Sequence, residues 1–265
     1  MPKRRTRASS RETPLLAVDI GNSDSVIGLF QGAKLEGFWR LTSRSQTADE
    51  VMLVLDALLR RKHGVPAPGG AVLCSVVPTL SRAWYDALTR ITGAPPLEVN
   101  AKTASALPIR YRDKLAVGAD RIANALAVRA LYGTPAIVVD LGTATTFDCV
   151  SKAGAYLGGV IAPGIGTSAE ELFRRAARLP KVELKRPERA LGRTTEESLQ
   201  AGVIWGAAGQ VDAIVRRLAL EMQGTPHVIA TGGYAPIVAP ECETINRVDE
   251  GLTLKGMRLL WEAQR

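Results

Sequence analysis

Leu15-Leu16-Ala17-Val18-Asp19-Ile20-Gly21-Asn22-Ser23 and Ala136-Ile137-Val138-Val139-Asp140-Leu141-Gly142-Thr143-Ala144 are two apolar runs that each deliver Asp-x-Gly and then a hydroxyl residue. Asp-x-Gly alone is ordinary turn chemistry. Here both copies follow an apolar strand and lead into another strand rather than a helix, and VDIGNS and VDLGTA align residue for residue. The two aspartates lie 121 residues apart, about the length of one small domain. The pattern points to a duplicated unit.

Periodicity extends the unit outward. Strand-like segments at Ser25 to Phe30 and Leu35 to Leu41 are joined by the turn Gln31-Gly32-Ala33-Lys34. Thr47-Ala48-Asp49-Glu50 has the form of a capping box before Val51, Leu55, Leu58 and Leu59 at helical spacing. A strand at 71–77 ending at Pro78, a helix at 81–92 and a strand at 97–100 complete a βββαβαβ order. The second half offers a helix at 118–131, strands at 136–139, 147–150 and 156–161, a helix at 168–177, a long helix from Glu196 to about Met222, a strand at 228–230 and a helix at 252–263. The expected fold is α/β, with two βββαβαβ-type domains at 14–117 and 118–265 behind a basic leader at 1–13 and a cleft between them.

Hydrophobic residues are 46% and charged residues 23% of the 265, the balance of a globular protein. No run approaches the ~18 apolar residues that cross a bilayer, and no apolar segment backs the basic start as a signal peptide would, so a cytoplasmic protein is expected. Cys74, Cys149 and Cys242 have no CxxC spacing and suggest neither a disulfide framework nor a zinc site. The formal +8 is uneven: residues 1–11 carry +5 and residues 174–193 carry +6, so the rest of the chain carries −3. A mildly acidic body outside two patches does not suit a nucleic-acid module. The leader reads as a solvated tail or a binding arm, and the second patch as an exposed loop or a lure for anionic substrates.

A strand ending in Asp, a glycine turn and a hydroxyl make a phosphate and cation site. Glycine lets backbone N–H groups approach phosphate oxygens, the hydroxyl adds a donor, and the carboxylate attracts Mg²⁺. Neither GxxxxGK[ST] nor a strand-to-helix GxGxxG occurs. His63 and His227 have no partners at ligand or triad spacing.

Asp19-Ile20-Gly21-Asn22-Ser23, Gly118-Ala119-Asp120-Arg121, Asp140-Leu141-Gly142-Thr143-Ala144-Thr145-Thr146 and Gly158-Gly159-Val160-Ile161-Ala162-Pro163-Gly164 resemble, in order and spacing, the motifs of type III pantothenate kinases of the actin-like ATPase superfamily. Cys74-Ser75-Val76-Val77-Pro78, Thr231-Gly232-Gly233 and Asp249-Glu250-Gly251-Leu252 extend the resemblance over nearly the whole chain after the leader.

The resemblance implies a duplicated RNase H-like fold that phosphorylates pantothenate with ATP, Mg²⁺ and K⁺ or NH₄⁺, as a homodimer. It assigns Asp19, Ile20, Gly21, Asn22, Ser23, Asp24, Ser25, Val26 and Thr143 to ATP, with Asp19 near Mg²⁺ and Asp140 on the monovalent cation. Asp120 becomes the general base; Tyr111, Gly118, Ala119, Arg121 and Thr195 hold pantothenate. Ser23 stands where the family usually has Thr, and Thr194 where it usually has Asn.

The residues alone leave other readings open. Asp120 could cap its helix, Arg121 could be a surface charge, and Tyr111 could pack at a domain edge. Asp148 reads as structural. Another small-molecule kinase of the superfamily, or a transcriptional accessory factor using the leader, would share part of the pattern. The apolar Leu199, Val203, Ile204, Val211, Ile214, Val215 and Leu218 of the long helix suit either a dimer interface or burial within the second domain.

Overall fold

The computed structural model describes residues 13–61 and 66–265, so the leader up to residue 12 and His63 lie outside the described residues. β1 (Leu15–Ile20), β2 (Asp24–Gln31) and β3 (Lys34–Thr42) form an antiparallel meander. After α1 (Ala48–Arg60), β4 (Gly70–Ser75) pairs parallel to β1; after α2 (Pro78–Thr92), β5 (Leu97–Glu98) pairs parallel to β4. The second half runs α3 (Ala119–Leu131), β6 (Ala136–Leu141), β7 (Ala144–Val150), β8 (Tyr156–Pro163), α4 (Ile165–Arg175), α5 (Thr195–Glu221), β9 (His227–Thr231), α6 (Ala235–Val238), β10 (Arg247–Val248) and α7 (Leu252–Ala263). The sheet orders, β3-β2-β1-β4-β5 and β8-β7-β6-β9-β10, are the same topology twice.

Several elements begin where the sequence supplies a physical signal. Thr47 and Glu50 form the reciprocal capping box at the start of α1. Pro78 does not end β4, as expected, but occupies the first turn of α2, where its missing N–H costs nothing. The second unit departs from strict βββαβαβ, because α4 and α5 both lie between β8 and β9. The short α6 and β10 carry too little periodicity to be read from sequence.

Alternation along the two leading strands builds the layers. In β1, Leu16, Val18 and Ile20 pack with Val51, Leu55, Trp84 and Leu88 of α1 and α2. Leu15 and Ala17 instead join a core with Ile122 and Ala125 of α3 and Leu254 and Met257 of α7. In β6, Ile137, Val139 and Leu141 face Ile165, Ile204 and Val211 of α4 and α5, while Ala136 and Val138 face the shared core around α3 and α7. The order of layers is α1/α2, first sheet, α3/α7, second sheet, α4/α5. By the period of two, Asp19 and Asp140 fall on the inner faces.

The middle layer tolerates no added bulk. A Cβ on Gly256 of α7 would run into the Ala123 backbone of α3, and one on Gly70 into the Trp261 ring. Gly256→Val should lower stability by about 2–3 kcal/mol in urea melts. Gly209→Ala, where a Cβ meets nothing within 4 Å, should instead be neutral or stabilise α5 by up to ~1 kcal/mol.

Candidate active site

Between the sheets a cleft of about 370 Å³ opens at the ends of β1 and β6. Its floor is set by strand register. Arg40, Val26, Asp19 and Cys74 lie in one row across β3, β2, β1 and β4. Ile161, Thr146, Asp140 and Thr231 form the matching row across β8, β7, β6 and β9. The two glycine turns meet: the Ser23 and Thr143 hydroxyls share a hydrogen bond of 2.7 Å across the 120 residues between them. Gly232, at φ +93°, closes the second wall, and a Cβ there would collide with the Leu141 backbone and reach 2.5 Å from Asp140 Oδ1.

Of the expected residues, Asp19, Gly21, Asn22, Ser23, Asp24, Val26, Asp120, Asp140 and Thr143 line this one cleft. Ile20 and Ser25 are buried behind it, and the Ser25 hydroxyl shares a 2.9 Å hydrogen bond with Ser43. Asp120 sits in the first turn of α3, its Oδ1 accepting the Arg121 N–H at 2.8 Å. Gly118 is the N-cap of that helix and leaves room for Asp120 Oδ1, which would lie 2.6 Å from a Cβ there. Ala119 follows it in the first turn.

Arg121 is not a surface charge. It is buried, its Nε donating to Asp148 Oδ1 at 2.6 Å, its Nη2 reaching the Phe147 carbonyl, and its guanidinium lying over the Tyr156 ring. The Tyr156 hydroxyl also donates to Asp148 Oδ1, at 3.0 Å. Tyr111 stands half-exposed over Gly158 with its ring centroid 6.4 Å from that of Tyr156. Tyr111 and Arg121 thus share a neighbourhood beside the cleft. Thr195 does not line the cleft; it is exposed at the first turn of α5, whose cap is the Thr194 hydroxyl accepting the Glu197 N–H.

The electrostatics are one-sided. Burial, with Asp120 and Asp140 nearby, pushes the Asp19 carboxyl to about 7. Burial, with Asp120 nearby, pushes Asp140 to about 6. Burial also raises Asp120, against the pull of the Arg121 N–H and guanidinium. The donor set is hard oxygen, from carboxylates and the hydroxyls of Ser23, Thr143, Thr146 and Thr231. That set suits Mg²⁺ and alkali cations rather than softer metals. Among the described residues no group of three acid, His or Cys side chains could cage an ion alone. An ion here would need ligands beyond the protein's own, and Asp19 and Asp140 are buried carboxylates at the cleft that could contribute to holding it.

Sequence reasoning missed several residues in and behind the cleft. Asn124, fully buried, donates through Nδ2 to Asp140 Oδ2 at 3.2 Å and accepts from the Thr253 hydroxyl at 2.8 Å. The signal was its position four residues after Asp120, on the same face of α3. Arg40, Gly166, Thr167, Glu170 and Tyr234 line the cleft and carried no signal in their local sequence, whereas Glu250, which lines it too, belongs to the Asp249-Glu250-Gly251-Leu252 motif.

Two sheets of one topology facing each other across an acidic, glycine-walled cleft give the chain an actin-like fold. Solved structures with this fold include a 2-hydroxyisocaproyl-CoA dehydratase activator from Clostridium difficile with bound ADPNP, with TM-score 0.57, 14% identity and 95% of this chain and 96% of that one covered. Another is the ethanolamine utilization protein EutJ from Carboxydothermus hydrogenoformans, with TM-score 0.54, 15% identity and 92% and 89% covered.

Sequence comparison is more specific. The family model for type III pantothenate kinase matches residues 15–217. Type III pantothenate kinases of Moorella thermoacetica and Acidothermus cellulolyticus are 48% and 44% identical, each over 94% of this chain and 98% of their own length. The chain belongs to the type III pantothenate kinase family.

The raised carboxyls make a pH prediction. Below the ordinary value of 3.8 both folded and unfolded chains are protonated, so the burial of Asp19 costs no ionisation. As pH rises the unfolded chain ionises first, so stability is lost up to about pH 7 and levels off above it. In ligand-free protein, Asp19→Asn should raise the melting temperature at pH 8 by ~3–6 °C and leave it unchanged at pH 4. An equal shift at both values would tie the effect to packing instead.

Proposed function

We propose that this chain transfers the γ-phosphoryl group of ATP to the hydroxyl of pantothenate, giving 4'-phosphopantothenate at the first step of coenzyme A synthesis. The single observation that carries the reading is the match of nearly the whole chain to pantothenate kinases, together with a cleft in which the family's aspartates converge. That agreement favours it over another small-molecule kinase of the superfamily and over a transcriptional accessory factor. The proposed setting is the cytoplasm; among the described residues no helix is long and apolar enough to cross a membrane.

In this reading the backbone N–H groups of Asp19 to Val26 and the Thr143 hydroxyl cradle the phosphates. Mg²⁺ beside Asp19 and K⁺ or NH₄⁺ at Asp140 offset charge on the phosphate oxygens. Phosphoryl transfer asks mainly for alignment and charge neutralisation, which this chain's rigid turns supply. Asp120 receives the hydroxyl proton: its Oδ1 is occupied by the Arg121 N–H, among the described residues no other side chain donates to Oδ2, and burial raises its basicity. Arg121, held from behind by Asp148, offers its remaining N–H groups to the pantothenate carboxylate, with Tyr111 and the backbone of Gly118 and Ala119 flanking it.

A homodimer completes the proposal. Thr195 is exposed and away from its own chain's cleft, which fits a contact with a neighbour's substrate. Leu199, Ile204, Val211 and Val215 are buried in their own subunit, while Val203, Ile214 and Leu218 are only half-buried. A groove of about 440 Å³ between α4 and α5, lined by Ile165, Leu172, Leu199 and Val203 with Gly202 and Gly206, supports α5 as the interface.

Asp120→Asn should lose at least ~100-fold in pantothenate turnover while still binding ATP. Retained activity with a melting loss of ~1 kcal/mol would make Asp120 only a helix-terminal residue. Mixing inactive Asp120→Asn and Thr195→Ala chains under subunit exchange should restore part of the activity through hybrid dimers. A fully active monomer in sedimentation at assay concentration would overturn the shared site.

A further inference from the structure

Among the described residues lining the cleft, six side chains are carboxylates (Asp19, Asp24, Asp120, Asp140, Glu170 and Glu250) and one is a guanidinium, Arg40. A site for a polyanion is here walled by acid, and the first unit breaks the symmetry of the duplication to bring in a cation. Arg40 pairs with Val26, which pairs with Asp19, so its side chain leaves β3 on the same inner face as that carboxylate. The corresponding place in the second unit, opposite Thr146, holds Ile161.

Arg40 also spans the cleft. Its Nη1 donates to Asp24 Oδ2 at 2.9 Å on its own sheet. The same nitrogen lies 3.2 Å from where a Cβ would stand on Gly233 of the second unit, so the glycine leaves the guanidinium its space. The Asp24 pair does not commit the charge, because both partners are more than a third exposed, at 36% and 38%. Exposed pairs of this kind exchange partners at little cost.

We propose that Arg40 is the cation this chain itself supplies to the phosphates of the bound nucleotide, leaving Asp24 for them when ATP enters. The proposal rests on the kinase reading for its ligand but makes a separate claim about one side chain. A planar guanidinium bridging two phosphate oxygens holds the nucleotide across both units and neutralises the tail without displacing the ion at Asp19. As the bond from Pγ to the ADP oxygen breaks and that to the substrate oxygen forms, the leaving oxygen gains charge, and a guanidinium on the tail stabilises it.

The test is calorimetric binding of adenosine, AMP, ADP and ATP, each with Mg²⁺, to wild type, Arg40→Gln and Arg40→Lys, alongside pantothenate turnover. In Arg40→Gln, adenosine affinity should stay within twofold while ADP and ATP affinities fall at least ~10-fold. Arg40→Lys should recover part of that loss, as a point charge without the fork. Equal losses for adenosine and ATP, or none, would overturn the proposal even if the wild type is a fully active kinase. Wild type that binds nucleotides but does not phosphorylate pantothenate would instead defeat the functional reading and leave the Arg40 comparison readable. Arg40→Met, similar in length and uncharged, gives the same comparison should the Gln variant not fold.

Discussion

Two strands of a duplicated unit each end in an aspartate on the inner face of its sheet, and the first turn of α3 adds a third between them. Asp19, Asp120 and Asp140 are then held in a partly desolvated cleft with one guanidinium for company. Carboxylates so placed favour either a proton or a cation. Much of the surrounding architecture serves to keep them there. Asn124 fixes one oxygen of Asp140, Thr253 fixes Asn124, and Gly232 lets the second wall close onto the same carboxylate. The site is costly while its carboxylates are ionised and unpaired, and a bound cation is the kind of ligand that relieves the cost.

The duplication gives two equivalent walls but not two equivalent halves. Each sheet supplies a strand, an Asp-x-Gly turn and a hydroxyl, and Ser23 meets Thr143 where the turns touch. Beyond that point the halves diverge: β3 brings Arg40 to the cleft where β8 brings Ile161, and the second unit carries the additional helix between β8 and β9. Proteins of very different activity share the fold at 14–15% identity, so specificity belongs to what is grafted beside the cleft. In this chain the Arg121, Asp148, Tyr156 and Tyr111 cluster lies there, a buried ion pair that presents a guanidinium with much of its freedom already removed.

Much of this was readable from residues alone because it rests on short-range rules. The period of two in Leu15 to Asp19 and Ala136 to Asp140 places both carboxylates, and Asx-Gly chemistry with a following strand places the turns. Thr47 and Glu50 announce α1. What escaped depends on register and distance. Arg40 looks like any exposed charge until pairing with Val26 puts it beside Asp19, and Asp148 gains its role only when β7 meets Arg121 of α3. Pro78 was misread because the same residue that stops a strand also suits the first turn of a helix.

The most direct test of this charge-crowded cleft is a ¹³C NMR titration of the carboxyl groups of Asp19, Asp120 and Asp140, in ligand-free protein and with magnesium, potassium and a non-hydrolysable ATP analogue. The account predicts that the ligand-free cluster titrates with at least two apparent values near 6 to 7, and that these fall toward the ordinary carboxylate range once cations and nucleotide bind. Titration of all three close to 4 in the ligand-free protein, unchanged by cations and nucleotide, would contradict it.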